Sequence, residues 1–143
     1  MISGGMASAA EVPATLLILA DGTAAVGKRC EEVQANIKSA KAALEARSGP
    51  STIADDFVAY DRLNALSQGA FGQFYLVMES HPEKGVRDAA AECVQGITAI
   101  NTDIGLSRPI YSRLAAIPSG GLDRKTGYTL GKVLDAYRRA GVD

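Results

Sequence analysis

The stretch Val86–Ile104, VRDAAAECVQGITAINTDI, decides the fold. Val86, Ala90, Cys93, Ile97, Ile100 and Ile104 advance in alternating steps of four and three. An α-helix completes a turn every 3.6 residues, so these steps keep all six side chains on one face; a strand would need period two. Val26, Cys30, Val33, Ile37, Ala40 and Leu44 repeat the same rhythm. The spacing therefore predicts two long helices whose apolar stripes must be buried, with the steps of a bundle seam. Lys28, Glu31, Glu32, Lys38, Lys41 and Glu45 fall away from the first stripe and are expected in water. No segment alternates with period two, and the expected fold class is all-α.

Between these helices a third is expected over 53–79. Thr52-Ile53-Ala54-Asp55 supplies a Thr-x-x-Asp capping pattern after the Ser48-Gly49-Pro50 break. The segment carries two adjoining stripes: Ile53, Phe57, Tyr60, Phe71, Phe74 and Met78, then Ala59, Leu63, Leu66, Ala70 and Val77. So wide an apolar arc predicts burial on two sides. Gly69 and Gly72 each cost about 1 kcal/mol relative to alanine in a helix, and a closely approaching backbone would compensate.

The next helix is expected over 82–117 with a break near 107–109. Pro109 lacks an N–H and clashes with the carbonyl four residues back. Ile110, Tyr111, Leu114 and Ile117 then continue the periodicity, and Ser119-Gly120-Gly121 reads as a loop. Asp123 can cap a last helix over 123–140, carrying Leu130, Val133, Leu134 and Tyr137. Arg138 and Arg139 suit its negative end, and Gly141 the left-handed position after it. The expected architecture is an antiparallel bundle of about four long helices, at 23–47, 53–79, 82–117 and 123–140. It forms one domain over 13–143, after a flexible leader at 1–12.

Bulk properties narrow the partners. The 143 residues carry 15 basic and 16 acidic side chains, a net charge of −1, so no broad field attracts nucleic acid or anionic lipid. Leu16-Leu17-Ile18-Leu19-Ala20 is the most apolar run; it is too short to span a bilayer and has no Lys or Arg before it. A cytoplasmic location is expected, without nucleic-acid or membrane partners. Cys30 and Cys93 lack the neighbouring ligands of a zinc knuckle and are expected to be buried, reduced, inert thiols.

His81, in Ser80-His81-Pro82-Glu83, is the only histidine. Proline disfavours the helical conformation in the preceding residue, so His81 is expected just outside a helix, with Pro82 at its first position. Ser80 and Glu83 alternatively form a capping box. A zinc site would want a second histidine one turn away, and a nucleophilic triad would want an accompanying local motif. The core His-x-x-Lys-Gly of "HPEKG" also resembles that of histidine phosphotransfer domains, where the phosphoaccepting imidazole projects from mid-helix.

From about residue 50 onward the chain resembles the N-terminal helical region of zinc metallopeptidases of the thimet oligopeptidase and oligopeptidase A type. The stretches are STIADDFVAYDRLNALSQGAFGQFYLV, then HPEKGVRDAAAECVQGITAINTDIGLSRPIYSRLAAI, then LDRKTGYTLGKVLDAYRRAGVD. Arg87 to Ala90, Tyr111 to Leu114 and above all Arg138 to Val142 carry the likeness. The resemblance implies a non-catalytic domain forming one wall of a channel that admits short peptides. The family's zinc site, a His-Glu-x-x-His helix with a further glutamate, lies in a separate region; there the metal activates water for hydrolysis. The expectation is thus a fragment of a larger hydrolase, inactive alone, whose partners are its own catalytic domain and peptide substrates. No catalytic, cofactor-binding or metal-binding residue is assigned in this chain, His81 included, and zinc is expected only in the other region. The alternatives are a stand-alone helical protein-interaction module, or a phosphotransfer domain using His81.

Overall fold

The structure, a computed structural model, describes residues 22–143. Five α-helices follow one another: α1 (Thr23–Glu45), α2 (Val58–Ser80), α3 (Lys84–Gly105), α4 (Arg108–Ala115) and α5 (Arg124–Arg139). One turn of π-helix, Ile53–Phe57, leads into α2, and no strand occurs among the described residues. The fold is an all-α bundle. The expected helix over 82–117 is interrupted between Gly105 and Arg108, close to the expected break at 107–109, which leaves α4 with 8 residues; α5 has 16. The expected leader at 1–12, and residues 13–21 of the expected domain, lie outside the described residues.

The two stripes of like rhythm meet each other. Cys30 pairs with Cys93, 63 residues on, and Glu45 meets Ser107, 62 residues on. A side chain on Gly85 would collide with Thr23, and one on Gly96 with the Gln34 amide. The offset barely changes along the whole length, so α1 and α3 run parallel and in register. Ile37, Val86, Ala90 and Ile97 on this seam are fully buried. Truncating an isoleucine at such a site costs about 2–5 kcal/mol, a large share of a small domain's stability. Lys28, Glu31, Glu32 and Lys38 are exposed, whereas Lys41 and Glu45 are half-buried against Ser107.

The glycines of close approach are Gly85 and Gly96, on the α1–α3 seam. Gly69 and Gly72 were the expected pair, yet a side-chain carbon on either would have nothing within 4 Å among the described residues. The burial of α2 is correspondingly one-sided. Leu63, Phe74 and Val77 are buried, while Ala59, Leu66, Phe71 and Met78 are only half-buried. A wide apolar arc states how much surface wants cover, but not whether the neighbours are long enough to supply it.

Helix ends differ from expectation in instructive ways. Pro82 is not a first helical residue: α3 starts at Lys84 behind Glu83, whose side chain makes no cap. Ser80 Oγ donates backward to the Leu76 carbonyl, so the Ser80–Glu83 box does not form. Ser107 ends the run of α3 and caps α4, its Oγ accepting from the Ile110 N–H at 3.3 Å, with Pro109 in the first turn where no N–H is missed. Asp123 caps α5, accepting from Lys125 and Thr126 N–H at 3.0 Å each. After α5, Gly141 sits at φ 81°. The Val142 N–H reaches the Tyr137 carbonyl at 3.0 Å, and the Gly141 N–H the Arg138 carbonyl at 3.0 Å. That double closure needs a left-handed residue and swings Val142 into the core, where it is buried.

The cysteines correct the expectation of free thiols. Both are buried on their stripes, but they form a disulfide across the seam, with Cα atoms 5.7 Å apart. Parallel register brings them level, which a separation of 63 residues gives no means of foreseeing. Closing a loop of this length stabilises by roughly 4 kcal/mol in the chain-entropy picture. Protein purified without reductant is expected to show no titratable thiol until it is unfolded and reduced. Cys30→Ser with Cys93→Ser should lower stability to chemical denaturation by a few kcal/mol, where an unchanged midpoint would deny the bridge.

Candidate functional site

His81 closes α2. Its N–H donates to the Val77 carbonyl at 3.0 Å, and its ψ of 135° is the extended value that the following proline enforces. Nδ1 accepts from the Glu83 N–H at 3.1 Å, and the His81 carbonyl accepts from Arg87 at 2.7 Å. The residue is 5% exposed. The imidazole thus stitches the end of α2 to the start of α3. It does not project from mid-helix, and this geometry gives no support to phosphotransfer.

The densest polar cluster lies at the opposite end of α2 and was not singled out from sequence. Asp56 is fully buried in the π turn. Its Oδ1 accepts from Arg113 Nε at 2.8 Å and Arg47 Nε at 3.1 Å. Oδ2 accepts from Arg113 Nη2 at 2.9 Å and the Thr52 N–H at 2.9 Å. Arg113 also holds the carbonyls of Gly49 at 2.6 Å and Pro50 at 3.2 Å. Thr52 Oγ1 accepts from the Asp55 N–H, as a capping pattern requires, but the reciprocal carboxylate is that of Asp56. The sequence did contain one signal: Asp56 stands three, four and seven residues before Ala59, Tyr60 and Leu63, on an apolar face where a lone carboxylate needs partners.

Burial alone would raise the pKa of Asp56. The hydrogen bonds from Arg113 and Thr52, with the charges of Arg113 and Arg47, outweigh it and hold the carboxyl below its usual range. Glu45 shows the same balance: burial raises it, and Lys41 and Ser107, each at 2.6 Å, bring it down. With four donors, Asp56 has no lone pair left to take a proton from a substrate. Tyr137 is similarly committed. Burial, then the neighbouring Tyr60, pushes its phenol well above the ordinary value, and its hydroxyl donates to the Ile104 carbonyl at 2.8 Å. Tyr111 and Tyr60 flank its ring, with centroids at 5.8 and 6.3 Å.

Open surface suited to a ligand lies elsewhere. Two adjoining hollows of about 290 and 160 Å3 run between α1 and α2 and share Leu66. A third, of about 390 Å3, separates Phe57, Val58 and Asp61 from Lys125 and Thr129 of α5. Tyr128, on α5, is 67% exposed, with Lys132 Nζ 5.3 Å from its ring centre. Among the described residues no group of three or more His, Cys, Asp or Glu side chains could hold a metal ion, and no helix is long and apolar enough to cross a membrane. No protein-family model matches the chain, and neither does any curated protein.

Asp56→Asn is expected to cost roughly 3 kcal/mol, because it leaves two arginines facing an uncharged partner. The folded-state pKa of Asp56 is lowered, so its stabilising effect is complete above the unfolded value of about 3.9 and is lost as pH falls through the folded one. Denaturation midpoints measured against pH should therefore fall on the acid side in the native protein and fall less steeply in the variant. Equal acid slopes would remove Asp56 from this role.

Proposed function

We propose that the chain is a non-catalytic helical domain of a zinc metallopeptidase that hydrolyses short peptides, where it forms part of the substrate-channel wall. The observation that carries this reading is the ordered resemblance from residue 50 to 143. Its three stretches coincide with the π turn and α2, with α3 and α4, and with α5. Its most recognisable piece, Arg138 to Val142, is the double closure that pins α5 to the core. Metal and water activation would belong to the separate catalytic region, which is the domain's first partner, with short peptides as the second. The hollow beside α5 supports the reading, since Phe57 and Val58 there offer apolar surface next to Asp61 and Lys125.

The disulfide bears on location in this reading, against the cytoplasmic expectation. Disulfides persist in oxidising compartments and are rare in reducing cytosol, so the Cys30–Cys93 bridge argues for a parent protein outside the cytoplasm. A second reading, a helical module that binds a protein partner, draws on the open α1–α2 groove.

The 143-residue protein alone is expected to cleave no fluorogenic peptide and to retain no stoichiometric zinc. The polypeptide in which this domain occurs should encode His-Glu-x-x-His and hydrolyse peptides in a chelator-sensitive way. Chelator-sensitive cleavage by the isolated 143 residues, or a parent polypeptide lacking that motif, would end the proposal.

A further inference from the structure

α5 buries Leu130 and Tyr137, and its opposite side carries Arg124, Lys125, Tyr128, Lys132 and Arg139, all exposed. With 3.6 residues to a turn, these five fall within about a third of the helix circumference. The acidic side chains nearest to them are already committed. Asp123 is folded into the cap, accepting from the Lys125 and Thr126 N–H groups at 3.0 Å each. Asp135 pairs with Arg138 at 2.6 Å, the one ion pair of α5 among the described residues. Arg124, Lys125, Lys132 and Arg139 therefore stand together without a carboxylate, on a chain whose net charge is −1. Such a strip attracts a partner of opposite charge and sets its orientation. Tyr128 lies in the middle of it, with Lys132 Nζ held 5.3 Å from its ring centre.

The spacing says which kind of anion fits. Lys125, Lys132 and Arg139 recur every seventh residue, so their Cα atoms are roughly 10.5 Å apart along the axis. A second helix with acidic residues every seven presents carboxylates at the same interval, as charged flanks do in coiled coils. A nucleic-acid strand instead carries one phosphate for about every 3.4 Å of duplex axis, several for each cation step here. An apolar feature adjoins the strip. The hollow of about 390 Å3 walled by Phe57 and Val58 has Lys125 and Thr129 of α5 on its other side. Asp61 also lines it and would repel a carboxylate, so the group that enters there is apolar. We infer that the outer face of α5 docks an acidic amphipathic helix of a partner protein. Its carboxylates pair with Lys125, Lys132 and Arg139, and one apolar side chain drops into the hollow beside Val58. Exposed ion pairs are individually weak and are screened by salt, so the contact is transient and salt-sensitive. This inference is independent of the peptidase reading and stands or falls without it.

The test uses the 143-residue protein and a labelled, alanine-based helical peptide of about 20 residues. The peptide carries glutamates seven residues apart and one leucine a turn from the first of them, on the same face. Saturable binding is expected, with NMR shifts gathered on α5 and around Val58. Lys132→Glu with Arg139→Glu should weaken it about tenfold or more; both positions are exposed, and circular dichroism checks that the fold is kept. The same double variant should gain affinity for a peptide with lysines in place of the glutamates. Replacing the leucine by alanine should weaken binding several-fold. The inference is overturned if the native chain does not bind the acidic helix, or binds equally a peptide whose glutamates are scattered round the helix. It is overturned too if neither the charge reversal nor loss of the leucine changes the affinity. A single-stranded oligonucleotide of equal charge that binds as tightly would assign the face to nucleic acid instead.

Discussion

Two helices that run parallel with an offset of 62 to 63 residues leave the intervening chain one way to travel. α2 has to return antiparallel, and the short turn through His81 and Pro82 has to reverse it again into α3. The seam is made by two apolar stripes of identical rhythm that bury against each other. Small residues sharpen it. Gly85 and Gly96 lie under the Thr23 hydroxyl and the Gln34 amide, which would have to move aside for a methyl group, and the disulfide locks one level outright. Slipping one helix by a turn would misalign all of these at once, so the seam is specified several times over.

Polar bonds then place what the seam does not reach. α4 is short, and it buries only Ile110 and Leu114 of its own residues. Glu45 binds Ser107 at its start, and Asp56 binds Arg113 near its end, across 62 and 57 residues of chain. Buried ion pairs return little net stability, because desolvation takes back most of the attraction. Their contribution here is geometric: α4 is fixed against the end of α1 and the π turn, and Tyr111 is thereby set beside Tyr137. Tyr137 then ties α5 to α3 through the Ile104 carbonyl.

The side chains with the most chemical potential are already spent. His81 accepts a backbone N–H, Asp56 is surrounded by four donors, Tyr137 holds its proton in the core, and the cysteines are joined. Groups committed in this way build a rigid surface. A wall domain, whose reactive metal is supplied by another region, would need no more than that. Among the described residues, what is left is shape: a cleft between the π turn and α5 with Val58 at its edge, and two hollows between α1 and α2.

Local rules account for much of this molecule. Periodicity alone told helix from strand, and the faces of α1 and α3 follow from steps of three and four. Thr52, Asp123 and Gly141 act through neighbours within five residues, so their roles were legible where they stand. Pairing between distant segments was not. The same stripes suit parallel or antiparallel packing, and only the chosen direction sets Cys30 level with Cys93 or Arg113 against Asp56. Gly69 and Gly72 made the same point in reverse: they invited a neighbour, and among the described residues none comes within 4 Å of where a side chain would start. A sequence states what each face requires within a few residues of itself. Which distant face meets that requirement depends on distances through space, and these exist only once the helices have packed.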